Sequence, residues 1–173
     1  MKFLIASLIL LLTMSCAPIR VNYDFDKETN FSKYKTYNYY SDMKTGLSEL
    51  DTKRFLEALD AKLETLGITF SETPNFFIDI KSNTVQNAQR NLVGVGLGSG
   101  GRHMGGGISI GLPIGQANLN RQIMIDFVDE NRKQLFWQAT SESSYNPTAT
   151  PEIREMNLKA IVDKVFSQYP PKK

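Results

Sequence analysis

Alternation of apolar and polar side chains between residues 122 and 140 constrains the fold of this chain more than any other feature. Gln122–Asp129 and Gln134–Thr140 are predicted strands, and Glu130–Lys133 is the turn that joins them. A period of two places the apolar side chains on one face of each strand, as in a half-buried sheet. The pattern therefore predicts a β-hairpin against a core. We expect Trp137 to be buried there and Phe136 to point to the opposite face.

The other elements follow from the same kind of pattern. Further strands are predicted at Val21–Asp26, Thr36–Tyr40 and Phe76–Lys81. One helix begins after Ser48 or Asp51 and ends at Gly67; another begins at Thr150-Pro151-Glu152 and is stopped by Pro170-Pro171. Their predicted apolar faces are Phe55, Leu59, Leu63 and Leu66 in the first, and Ile153, Leu158, Ile161, Val162, Val165 and Tyr169 in the second. This order predicts an α+β two-layer sandwich, in which two helices pack on one face of an antiparallel or mixed sheet.

A glycine-rich segment interrupts this order as an inserted hairpin or loop. Ten of the twelve glycines lie between Gly94 and Gly115, and apolar residues alternate with them at Val95, Leu97, Ile108, Ile110 and Leu112. Two interpretations remain open. The segment forms two strands packed within the domain, or it is loosely held in the free protein and orders against a partner, a lipid or another copy. In the second case, these five apolar residues are the candidate contacts.

The same segment does not fit a nucleotide-binding loop. Gly96–Gly101 matches G-x-G-x-x-G, but a dinucleotide site requires a helix to start there and an acid about 20 residues later. Here a further run of glycines follows Arg102-His103, and the region around 116–120 contains no acid. His103, the only histidine, lies within this glycine-rich run, where a general base would not be held in place.

Composition excludes several further classes of function. The 20 basic and 18 acidic residues nearly cancel, which argues against a nucleic-acid partner. With one cysteine and one histidine, the chain has neither an internal disulfide framework nor a Cys/His zinc site. The acid pairs Asp24/Asp26 and Asp129/Glu130 are interpreted as a solvated strand face and a turn. No nucleophile–base pair is visible, so we expect neither an enzyme, an envelope hydrolase included, nor a cofactor.

The first sixteen residues are typical of an export signal. Met1-Lys2 is followed by ten apolar or small residues, too few for a transmembrane helix, and then by Ser15-Cys16. The pattern resembles a bacterial lipobox. It predicts a signal peptide at residues 1–15, lipidation of Cys16 after cleavage, a short tether at 16–20 and one domain at 21–171. The alternative is an ordinary signal peptide with a chance cysteine near its end.

Three motifs in order resemble the DUF4136 family of bacterial lipoproteins. They are Val21–Asp26 with Phe31–Tyr37, Ile125–Asp129 with Leu135–Ala139, and Pro151–Arg154 with Tyr169-Pro170-Pro171. The resemblance implies an α+β domain anchored by lipid in the cell envelope, and it carries over no catalytic or binding residue. We therefore expect a non-enzymatic envelope protein on the periplasmic face of the outer membrane, whose partner is a protein or other envelope component. The alternative is a binder of a small apolar or lipidic ligand.

Overall fold

A computed structural model of the chain describes residues 18–87 and 118–172. The elements in chain order are β1 (Arg20–Phe25), β2 (Thr36–Tyr39), α1 (Glu49–Thr65), β3 (Thr69–Phe70), β4 (Phe76–Asn87), β5 (Asn118–Asp129), β6 (Leu135–Tyr145) and α2 (Pro151–Val165). Short 3-10 helices lie at Phe31–Lys33 and Phe166–Gln168.

The strands described form one mixed sheet in the order β1-β6-β5-β4-β2-β3. The pairs β1–β6, β6–β5 and β5–β4 are antiparallel, whereas β2 pairs in parallel with both β4 and β3. The long hairpin predicted around residues 122–140 is confirmed as β5 and β6, and both strands extend beyond the predicted bounds. The sheet is open, and the α+β prediction is confirmed.

Both helices pack on the same face of the sheet and enclose the core. Phe55, Leu59 and Leu63 of α1 are fully buried, as the spacing of apolar residues predicts. The Ser48 side chain caps α1 by accepting a hydrogen bond from the Asp51 backbone N–H. The Thr150 side chain caps α2 by accepting one from the Ile153 backbone N–H. Gly67 follows α1 with φ +72°, the left-handed conformation expected at that position.

A β-bulge overturns the expected orientation of Phe136. Phe127 pairs with Trp137, but the next residue, Val128, pairs with Leu135, so Phe136 is an extra residue in β6. In such a bulge, two residues of one strand oppose one residue of the other and the side-chain alternation is lost. Phe136 and Trp137 are consequently both buried on the core face.

Three smaller predictions differ from the structure. Ile153 is 43% exposed, because it lies on the solvent side of the first turn of α2. Tyr169 is buried but lies beyond α2, which ends at Val165 and continues as a 3-10 turn. The two-residue strand β3 has no counterpart in the prediction, because two residues are too few to show a period.

The two ends of the sheet differ in the elements that they carry. At the end that we call proximal, Asn87 of β4 pairs with Asn118 of β5. Tyr145 closes β6 at this end, and β1 starts nearby because Arg20 pairs with Glu142. Asp51 pairs with Arg121 of β5 and with Arg154, which places the first turns of both helices near this end too. The opposite, distal end carries the turn between β5 and β6.

Candidate functional site

An ion cluster at the proximal end is built around Asp51. This residue lies in the first turn of α1 and its side chain is 1% exposed. Arg54 and Arg154 each approach it to 3.0 Å, from the next turn of α1 and from the first turns of α2, and Arg121 of β5 lies at 3.5 Å. One carboxylate therefore joins both helices to the sheet.

The electrostatics of this cluster favour an ionised Asp51. Burial acts to raise the pKa of the carboxyl group, but the charge and hydrogen bond of Arg154, joined by Arg54 and Arg121, outweigh burial and hold the pKa below its usual value. The Arg121 guanidinium also stacks over the Tyr145 ring at 3.5 Å. Its Nε is buried without a hydrogen-bond partner among the described residues.

The space inside this cluster is small. A cavity of about 30 Å³ lies between Arg121, Tyr145, Arg154 and Asn157. That volume suits about one water molecule, which occupies ~30 Å³ in the liquid. The cluster is therefore a structural junction, with no room for an organic substrate.

A larger groove opens between β1 and the C-terminal segment. Its volume is about 770 Å³, and it is lined by Tyr23, Phe25, Trp137, Ser167, Gln168, Tyr169, Pro170, Pro171 and Lys172. The Tyr23 hydroxyl donates a hydrogen bond to the Lys164 carbonyl at 2.9 Å, which ties β1 to the last turn of α2. Small-molecule pockets typically measure about 300–1,000 Å³ and are mostly apolar with a few polar groups. The groove matches an apolar ligand or an apolar side chain of a partner better than it matches a charged substrate.

A second polar cluster lies at the distal end. The Tyr34 hydroxyl donates to Asp129 Oδ2 at 2.6 Å and accepts from Arg132 at 3.3 Å. Burial acts to raise the pKa of Asp129, but the hydrogen bonds from Tyr34 and from the Arg132 backbone N–H lower it below its usual value. Asp129 was expected to be an ordinary turn residue. It accepts the local hydrogen bond from the Arg132 backbone N–H that such a residue makes, and in addition its side chain is buried and joins the turn to Tyr34, beside the first 3-10 segment.

The buried acids of these two clusters lie apart, each in its own network of hydrogen bonds and ion pairs. Within residues 18–87 and 118–172, no group of three His, Cys, Asp or Glu side chains is placed to hold a metal ion. The same ranges contain no helix of the length and apolar character needed to cross a membrane. Cys16, His103 and the candidate contacts Val95, Leu97, Ile108, Ile110 and Leu112 lie outside the described residues.

A protein-family comparison decides the classification. The model of the family described as "Domain of unknown function (DUF4136)" matches residues 21–171. The chain belongs to the DUF4136 family. The resemblance of the three sequence motifs is thereby confirmed. No curated protein matches the chain.

Solved structures similar to this DUF4136 domain show the fold alone. A PDZ domain protein from Parabacteroides distasonis has a TM-score of 0.58 and 14% sequence identity, over 99% of this chain and 41% of that one. The chain thus spans less than half the length of that protein. PelC from Paraburkholderia phytofirmans, crystallised as a dodecamer, has a TM-score of 0.52 and 8% identity, over 90% of this chain and 100% of that one.

Sequence reasoning missed both buried acids of the DUF4136 domain. It treated Asp51 only as a possible helix cap, and Asp129 as a turn residue. The signal for Asp51 was its position in the α1 apolar row, four residues before Phe55 and eight before Leu59, where it occupies a core position. No comparable signal marks Asp129, because its partner Tyr34 is 95 residues away. The groove also escaped prediction, since it is formed by β1 and the C-terminal segment.

Proposed function

We propose that this protein is a lipid-anchored, non-enzymatic component of the bacterial envelope that binds another envelope molecule. Cys16 is the proposed lipidation site, and the periplasmic face of the outer membrane is the proposed location. One observation carries the proposal: β1 begins at Arg20, four residues after the only cysteine of the chain. At about 3.3–3.6 Å per residue, the domain would lie within roughly 15 Å of an acylated Cys16.

The binding role is supported by surface features rather than by chemistry. The groove beside β1 offers an apolar cleft without a nucleophile–base pair among its described lining residues. Val95, Leu97, Ile108, Ile110 and Leu112 remain the proposed contact residues of the glycine-rich segment, on the sequence argument alone. Neither feature calls for a cofactor, a nucleotide or a nucleic acid.

Lipidation is tested by metabolic labelling with a radiolabelled fatty acid. The full-length protein should be labelled and should require detergent for extraction, and Cys16→Ala should abolish both properties. Ser15→Ala is the matched control, because it keeps a small residue before the cysteine and should preserve labelling. Persistent labelling of Cys16→Ala would refute the proposed anchor.

The partner is tested by purification of the lipidated protein from detergent-extracted membranes. A protein band in constant ratio to this chain supports an interaction module. Loss of that band on excision of Leu97–Ser109, with the anchor intact, would assign the contact to the glycine-rich segment. Retention of the band would assign the contact to the described domain.

A second candidate function follows from the volume and lining of the groove: binding of a small apolar or lipidic ligand. Gln168 is exposed and lines the groove, so Gln168→Trp should fill part of it without disturbing the core. The expected result is lower affinity for a fluorescent fatty acid and less extractable lipid by mass spectrometry. Gln122→Trp, an equally exposed change on β5 outside the groove, should bind as the native protein does. Equal binding by both variants and the native chain would exclude the groove as the site.

A further inference from the structure

We infer that the proximal end of the domain rests on the phospholipid surface of the membrane, through apolar side chains in the first turns of α1 and α2. This inference rests on the proposed lipidation of Cys16 and adds the orientation of the domain. The partner of this end of the domain is the surface of a lipid bilayer. Two observations support that assignment: the position at which β1 begins and the distribution of exposed apolar residues.

The position of β1 determines which end would face the anchor. Arg20 pairs with Glu142, so the chain upstream of Arg20 arrives at the proximal end. A flexible tether of four residues has a mean span of about 11 Å. By contrast, α1 is 17 residues long and separates the two ends by about 25 Å. The tether therefore holds the proximal end next to the surface, and it places no such restraint on the distal end.

Exposed apolar side chains are concentrated at the same end. Among the described residues, the exposed large hydrophobic side chains are Leu50 64%, Phe70 59%, Val85 38%, Leu135 50%, Ile153 43% and Met156 64%. Leu50 is the second residue of α1, and Ile153 and Met156 lie in the first two turns of α2. Val85 pairs with Asn120 near the proximal ends of β4 and β5. Four of the six therefore lie at the proximal end, where water would otherwise solvate them.

The two helices present their first turns side by side. Asp51 contacts Arg154 at 3.0 Å, and Lys62 contacts Asp163 at 3.0 Å. Asp51 and Lys62 are eleven residues apart on α1, and their partners are nine residues apart on α2. The two helices are therefore parallel, and their N-termini lie at one level. Because α-helical side chains lean toward the N-terminus, Leu50, Ile153 and Met156 extend toward the proximal end.

The charges at this end favour an apolar contact over an electrostatic one. Among the described residues, exposed Arg20 and Lys53 are offset by exposed Glu49 and Glu152, so these residues supply no excess positive charge to attract acidic lipids. The long cationic side chains can still reach phosphate groups while their stems lie on the apolar surface. We therefore expect contact with neutral and acidic vesicles alike and little dependence on salt. The acyl anchor supplies affinity, and the apolar contact selects the orientation.

The test uses nitroxide labels on the full-length lipidated protein in vesicles of phosphatidylethanolamine and phosphatidylglycerol. Since lipidation consumes the only native thiol, each introduced cysteine is the single labelling site. Met156→Cys and Leu50→Cys report on the proximal end. Phe70→Cys and Leu135→Cys are controls of similar exposure away from that end. Matching thermal transitions confirm that each variant is folded.

Proximal labels should collide several-fold less often with a water-soluble nickel chelate, and more often with oxygen, than the control labels do. Equal collision rates at all four sites, or protection of Phe70 and Leu135 alone, would overturn the inference. The mass of the N-terminal peptide separately reports acylation of Cys16. If that peptide is unmodified, the proposed anchor fails. The same labels on Cys16→Ser protein that carries a synthetic lipid on its N-terminal amine still decide the orientation: proximal protection supports it, and equal collision rates at all four sites refute it.

Discussion

At the scale of single residues, two tyrosines in the same aromatic core differ in the hydrogen bonding of their hydroxyl groups. Tyr34 and Tyr169 are both buried, and each packs edge-on or stacked against neighbouring rings. The Tyr34 hydroxyl is bonded to Asp129 and Arg132, whereas the Tyr169 hydroxyl is buried without a partner among the described residues. A buried hydroxyl without a hydrogen bond opposes folding, whereas one that satisfies a buried carboxylate favours it.

We therefore expect opposite results from the same substitution at the two positions. Tyr34→Phe should lower the free energy of unfolding by about 1.5–3 kcal/mol, because Asp129 loses a donor to its charged form. Tyr169→Phe should leave that free energy unchanged or raise it slightly. Denaturant titration of both variants beside the native chain measures the difference. Equal losses in the two variants would show that the hydroxyl of Tyr169 has a partner after all.

Trp137 tests the interpretation of the aromatic core as a folding element. Its side chain is 1% exposed and packs against Phe127, Phe166 and Tyr169. Truncation of a buried aromatic side chain costs about 3–5 kcal/mol, against a typical total stability of ~5–15 kcal/mol. Trp137→Ala should therefore lower the melting temperature sharply or unfold the protein. Leu135→Ala, in the same strand but half exposed, should change it little, and an unchanged transition in Trp137→Ala would contradict the burial.

At the scale of elements, what could be predicted depended on the length of each pattern. The β5–β6 hairpin, both helices and the cap at Thr150 follow from periods that persist over many residues or from local hydrogen bonds. The cap of α1 was predicted only as Ser48 or Asp51, and the structure shows Ser48. The bulge at Phe136 could not be predicted, because one extra residue leaves no trace in a pattern of adjacent apolar side chains. Pairings between distant segments, such as β1 with β6 or Tyr34 with Asp129, are set by the assembled sheet.

The glycine-rich segment supplies the prediction at this scale. β4 and β5 remain paired as far as Asn87 and Asn118, so a shorter connection can join them without changing the register. We expect replacement of Leu97–Ser109 by a short Gly-Ser turn to preserve the melting temperature and to remove a co-purifying partner. A melting temperature several degrees lower would mean that the segment packs within the domain and would exclude its role as a loosely held contact.

At the scale of the whole molecule, ionised carboxylates connect elements that also share the apolar core. Asp51 joins α1, α2 and β5 at the proximal end, and Asp129 joins the β5–β6 turn to Tyr34 at the distal end. Asp163 links the two helices between these ends through Lys62. The pKa of each of these carboxyl groups lies below its ordinary value in the folded state. The stability of the molecule should therefore depend on pH through the same groups that hold its layers together.

Because the unfolded chain has ordinary carboxyl pKa values near ~3.9, it binds protons before the folded chain does as the pH falls. The stabilisation by Asp51 and Asp129 is fully present above that value and is lost as the pH falls through the lower pKa values of the folded state. Asp126 acts in the opposite sense, since burial raises its pKa. We expect denaturant titrations to show nearly constant stability from neutral pH to about pH 5 and a decline below about pH 4.

Asp51→Asn should separate this effect from general acid unfolding. At neutral pH it should lower the free energy of unfolding by about 2–4 kcal/mol. Breaking a buried ion pair typically costs about 3–5 kcal/mol, and we expect a smaller loss here because the three arginines are partly exposed. Its decline in acid should also be shallower than that of the native chain, because one shifted carboxyl group is gone. Asp163→Asn, whose side chain is 45% exposed, should cost at most about 1 kcal/mol. Parallel pH curves for Asp51→Asn and the native chain would show that the three arginines do not hold Asp51 ionised.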